Sequence, residues 1–146
     1  MATNPIPGNT SRVAPFLLVN DAEGLIAFLR EAFGAELAFR MPSQGSPIHH
    51  AEVRIGGSTI MLADASAANP VRTAMLHVYV RDVDAVYRSA LAAGASSERE
   101  PADQFYGDRS AGVNDRFGNQ WWIASRIEEL APEEIERRAR AAAAHG

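Results

Sequence analysis

The chain predicts an α+β fold: two βαβββ units forming a curved mixed sheet around a cleft, followed by a C-terminal helix. Three observations lead there. Strand-like and helix-like patterns run in the same order twice. The two runs overlay at an offset of about 61, Val19-Asn20-Asp21 onto Val80-Arg81-Asp82 and Gly57 onto Gly118. A repeated supersecondary unit defines an architecture, because each unit has one helix to cover one sheet face and leaves the other open. Finally, Asp103 to Ser125 reads as Gly-centred turns feeding a strand, Asn119 to Ala124, that holds both tryptophans. Alternation there puts Trp121 and Ile123 on one face, and Gln120, Trp122 and Ala124 on the other.

Each element follows from its residues. Positions 1–11, rich in Pro, Gly, Asn and Thr, read as an irregular leader. Val13 to Val19 is apolar and β-prone. Asn20-Asp21 supplies a helix cap, Leu25, Phe28, Leu29, Ala32 and Phe33 recur at helical spacing, and Gly34 closes the helix. Glu36 to Met41 is a short strand, and Pro42 to Pro47 a loop. From His49 the alternation is strict, with Ala51, Val53 and Ile55 on one face and His50, Glu52 and Arg54 on the other. Gly56-Gly57 turns this strand into Ser58–Asp64, a hairpin. Ala65 to Val71 is a linker. Thr73 to Val80 is again a strand, Asp82 caps a helix through Ala93, and Gly94 closes it. An extended piece, a loop at Pro101 and the tryptophan-bearing hairpin complete the second unit. Pro132 then opens a charged tail, 132–146, whose glutamates precede its arginines as the helix dipole favours.

Composition narrows the function classes. With 146 residues, 47% of them hydrophobic, one domain spanning 12–131 is expected, its units at 12–64 and 73–125. The net charge of −4 and the lack of a basic stripe argue against nucleic acid. No apolar run approaches the ~20 residues of a membrane-spanning helix. Without cysteine there is no disulfide, thiol catalysis or zinc-thiolate site, which fits a cytoplasmic protein.

The residues Val19-Asn20-Asp21-Ala22-Glu23, Phe28 to Ala35, His50 to Gly56, Leu76 to Asp84, Gln104 to Arg109 and Asp115 to Trp121 together carry a resemblance. The chain resembles the vicinal oxygen chelate superfamily, which includes glyoxalase I, bleomycin-resistance proteins and extradiol dioxygenases. Within it the chain looks most like the PhnB-like branch. The resemblance implies a small-molecule ligand and a homodimer. It also implies where a metal would be bound, and those positions hold Ala14, Met61, Met75 and Trp122 here. None is a usual ligand for a hard metal, so no metal or other cofactor is expected.

Strand parity lines the expected cleft with Phe16, His50, Glu52, Arg54, Met61, Met75, His77, Tyr79, Gln120 and Trp122, an aromatic and soft set suited to a flat ligand. Phe105 and Tyr106 read as a lid or a clamp on the loop. Arg109 reads either as a fork for an anionic or carbonyl group or as half of a salt bridge with Asp108. His50, Glu52 and His77 read as a hydrogen-bonded set, or as a relocated metal site. Two functions follow: a protein that binds a planar or aromatic small molecule without the usual metal, or a lyase, isomerase or epimerase using His50 or His77 as general base. A fold serving only subunit assembly is a third reading.

Overall fold

The computed structural model describes residues 2–8 and 10–145. The chain divides into two compact units, one ending at Ala74 and the other starting at Met75. In the first, strand β1 (Phe16–Val19) leads to helix α1 (Ala22–Phe33), then to β2 (Glu36–Met41), β3 (His50–Ile55) and β4 (Ser58–Asp64). In the second, β5 (Met75–Tyr79), α2 (Val83–Ala92), β6 (Ser96–Asp103), β7 (Asp108–Asn114) and β8 (Gln120–Arg126) repeat the order, and α3 (Pro132–His145) follows. The α+β class, the doubled βαβββ order and the C-terminal helix are as the sequence predicts. The strands form two four-stranded mixed sheets, β1-β4-β3-β2 and β5-β8-β7-β6.

The internal repeat extends to the register. In the first sheet Phe16 lies beside Met61 and Leu17 beside Leu62, on parallel strands. In the second, His77 lies beside Trp122 and Val78 beside Ile123, again parallel. The same offset of 61 relates both pairs, so Met61 and Trp122 occupy equivalent places.

In each unit one helix covers one sheet face. The Asp21 carboxylate accepts from Gly24 N at 2.9 Å, and Gly34 ends α1 in the left-handed region at φ 67°, where a side chain would be strained. Between those caps Leu25, Ile26, Phe28 and Leu29 are buried, as are Leu17, Val19, Ala51, Val53, Ile60 and Leu62 of the sheet. Each large apolar side chain so removed from water stabilises the unit by about 1.5–3 kcal/mol. In the second unit Val83, Tyr87 and Ala90 of α2 are buried together with Ala111, Val113, Trp121 and Ile123. The Tyr87 hydroxyl lies 2.7 Å from Ser97 Oγ, fixing α2 to β6.

Several boundaries differ from the sequence reading. β1 starts at Phe16 rather than Val13, and β5 spans Met75–Tyr79 rather than Thr73–Val80. α2 ends at Ala92, with Ala93 as its cap. Pro101 is not in a loop: it sits within β6, where the pairing to β7 slips between Arg99 and Ala102. β6 is the edge of its sheet, and a residue without an N–H is tolerated at an edge or a bulge.

Candidate binding site on the second sheet

The face of the second sheet turned away from α2 is built by register. β8 presents Gln120, Trp122 and Ala124 there, opposite Asn114, Gly112 and Ser110 of β7. β5 adds Met75, His77 and Tyr79, and β6 adds Arg99 opposite Gly112. Trp122 lies flat on the strand at Gly112, since a Cβ at that position would come 2.6 Å from an indole ring carbon. Only glycine leaves that space. The ring is also held edgewise: its Nε1 donates to Gln120 Oε1 at 2.9 Å, and Gln120 Nε2 donates to Asn114 Oδ1 at 3.1 Å.

Over the outer side of the indole stands the Arg99 guanidinium, 4.8 Å from the ring centroid, a cation–π contact. Arg99 Nη2 donates to Ser110 Oγ. Its Nε is buried and has no hydrogen-bond partner among the described residues. A buried donor left unmatched costs about 1–3 kcal/mol, and more where the group is charged. His77, Arg99, Tyr106, Ser110 and Trp122 together line a pocket of 240 Å³. Sequence reasoning missed Arg99 and Ser110. Arg99 lies two residues before Pro101, in the piece read as running out into a loop.

Beyond this pocket the same face is internally satisfied. Asp108, only 3% exposed, accepts from the Tyr79 hydroxyl at 3.2 Å and from Arg126 Nε at 3.3 Å. The bond to Asp108, then its charge, raises the Arg126 pKa above its ordinary value. The His77 and Tyr79 rings are 4.9 Å apart. Phe105 and Tyr106 meet edge to face at 5.2 Å in the turn from β6 to β7. That turn is gripped from the C-terminal segment. Arg138 Nη1 donates to Phe105 O at 3.2 Å while both Nη atoms reach the Glu128 carboxylate at 2.9 and 3.1 Å.

Arg109 is on the opposite face from the one expected of a cleft residue. It pairs in register with Ser125, alongside Ala111 and Val113, on the side that α2 covers. Its Nε and Nη2 hold the Asp84 carboxylate at 2.8 and 2.9 Å, and Nη1 reaches Asp103 at 3.0 Å. These bonds, Asp84 first, raise the Arg109 pKa, and the same bond lowers that of Asp84. The salt bridge is therefore to Asp84 and Asp103. Asp108 pairs with Arg126 instead.

The first sheet carries the other expected residues. Phe16, His50, Glu52 and Met61 lie on its open face by register, with Phe39 and Met41 from β2. The His50 ring packs 5.3 Å from Phe16 and 5.9 Å from Phe39, and no hydrogen bond joins it to Glu52 among the described residues. Arg54 is on the same face, and its Nε is also buried without a partner among the described residues. A hollow of 450 Å³ borders Phe16, but the carboxylate lining it, Asp64, is already matched by Ala22 N at 2.9 Å and Ile48 N at 2.6 Å. The pocket over Trp122 is smaller and has an unmet donor.

Among the described residues no three His, Cys, Asp or Glu side chains come together to hold a metal ion. Nor do the positions implied by the resemblance fit one. Ala14 and Trp122 offer no ligand atom for it, and Met61 and Met75 offer only soft thioethers.

Residues 11–123 match the family model described as the Glyoxalase/Bleomycin resistance protein/Dioxygenase superfamily. The chain belongs to this superfamily. An uncharacterized protein of Mycobacterium bovis is 34% identical, over 93% of this chain and 94% of its own. The crystal structure of TioX from Micromonospora sp. ML1 superposes with a TM-score of 0.65 at 25% identity, covering 83% of this chain and all of that one. Lactoylglutathione lyase from Agrobacterium tumefaciens shares the fold, with a TM-score of 0.58 at 22% identity over 82% and 96% of the two chains. The superfamily fold hosts many chemistries, so the function rests on the site rather than the scaffold.

Proposed function

We propose that the chain is a small-molecule-binding protein that holds a planar, aromatic compound on the open face of the second sheet, without the metal ion expected at the superfamily's usual positions. The observation that carries this is the pocket over Trp122. The Trp122 indole, set flat by Gly112 and held by Gln120, and the Arg99 guanidinium over its ring together make a rigid wall of two flat groups, one of them with donors. Guanidinium and indole both stack on planar partners, each contact worth roughly 0.5–1.5 kcal/mol beyond area burial. At 240 Å³ the pocket falls below the range of about 300–1,000 Å³ typical of drug-sized ligands, which favours one or two fused rings.

The test is a titration of intrinsic tryptophan fluorescence with bicyclic aromatic compounds. Binding should quench the emission, and Trp122→Ala should weaken it about tenfold, which is ~1.4 kcal/mol. Trp121→Ala, on the buried face, should lower stability instead. Equal affinity of Trp122→Ala and the parent for every hit would defeat the reading.

An enzymatic reading keeps one foothold, because His77 lines the same pocket. If a bound compound is turned over, and His77→Ala keeps the affinity while abolishing turnover, the imidazole is a general base.

A further inference from the structure

We propose that the planar ligand carries an oxyanion, a carboxylate or its chemical equivalent, received by Arg99 and Ser110. This rests on the binding function proposed above and names the class of compound that the site takes. The cation–π contact with Trp122 offers the guanidinium no hydrogen-bond acceptor, so its N–H groups must find acceptors elsewhere. Nη2 has Ser110 Oγ, while the buried Nε has no partner among the described residues. No carboxylate forms a salt bridge with Arg99 among the described residues. The nearby acid on this face, Asp108, is taken by Arg126 and Tyr79. Among the described residues no Asp or Glu lines the pocket, and the formal charge on its wall, from Arg99, is positive.

A two-oxygen anion supplies the counter-charge that Arg99 lacks. One oxygen accepts from the Arg99 guanidinium at the pocket wall and gives it a counter-charge. Ser110 Oγ accepts from Nη2 and keeps its own proton, so it can donate to the second oxygen. A neutral aromatic ring fills the same space and leaves the guanidinium without a counter-charge.

The discriminating experiment titrates the protein with 2-naphthoate and with 2-naphthamide, which share a ring system and differ in charge. The parent should bind the naphthoate at least tenfold tighter. Arg99→Lys keeps a charge but loses the planar fork of donors, and should reduce that preference several-fold. Arg99→Gln should abolish it. Ser110→Ala should weaken naphthoate more than naphthamide, and serves if the Arg99 variants do not fold. Equal affinity for the two probes in the parent, with loss of both in Trp122→Ala, would overturn the oxyanion while sparing the planar-ligand reading. A naphthoate preference unchanged in Arg99→Gln or in Ser110→Ala would also overturn it. Failure of both probes to bind the parent would defeat the binding function itself, and the oxyanion with it.

Discussion

Gly112→Ala probes the floor of the site with a single methyl group. The added Cβ would lie 2.6 Å from one indole carbon of Trp122 and 2.9 Å from two others. Ordinary contact begins near 3.4 Å, so the ring must retreat by about 0.8 Å. Its way out is restricted by the Nε1 bond to Gln120 and by Arg99 above. Two terms oppose each other. Replacing Gly by Ala narrows the unfolded ensemble and gains about 0.4–1 kcal/mol. Overpacking of this kind costs about 1–3 kcal/mol. The cost wins, and a net loss of about 1–2 kcal/mol is expected in urea unfolding. Ligand binding should weaken as well, because the lifted ring intrudes on a pocket of only 240 Å³. A variant as stable as the parent, with unchanged binding, would show that Trp122 does not lie on Gly112.

Three further outcomes are expected. Asp115→Ala removes a buried carboxylate that accepts from Phe117 N, Asn119 N, Asn119 Nδ2 and Trp121 Nε1, all within 2.9–3.0 Å, so stability should fall by about 3 kcal/mol or more, measured by denaturant unfolding. Arg109→Ala breaks the partly exposed bridge to Asp84 and Asp103 and should lower stability in denaturant unfolding far less than Asp115→Ala, with the affinity for aromatic probes unchanged, since Arg109 is on the other face from the pocket. The Glu134 carboxyl, held down to about 2 first by Arg137 and then by Arg138, should titrate there in carbon-detected NMR. Because the folded value lies below the ordinary 4.5, its contribution is complete above pH 4.5 and is lost as the pH falls from there through about 2. Arg137→Ala should return the midpoint toward 4.5, and a midpoint already near 4.5 in the parent would contradict the pairing.

Much of this is legible in the residues. The caps at Asp21 and Asp82, the Gly56-Gly57 turn and the repeat at an offset of 61 all act locally, and each is observed. Alternation in β8 likewise separated Trp121 from Trp122 correctly, because that strand is regular. Parity failed where the pairing is irregular. β6 slips twice against β7, so alternation along Ser96–Asp103 does not show that Arg99 shares a face with Trp122. Pro101, a usual loop marker, masked an edge strand. Arg109 was misplaced because Gly107 reads as a turn whose influence extends over the next residues. The chain is in fact already in β7 at Asp108, and from there Arg109 points toward Asp84, a partner 25 residues back that no local pattern predicts.

The most direct test of the proposed site is where a ligand acts on the backbone. In an amide chemical-shift titration with a bicyclic aromatic acid, the largest changes should fall on His77, Arg99, Tyr106, Ser110 and Trp122. Residues of α2 and the buried Trp121 side should move little. Largest shifts among β1 to β4 instead, or none at saturating probe, would contradict a binding site on the second sheet.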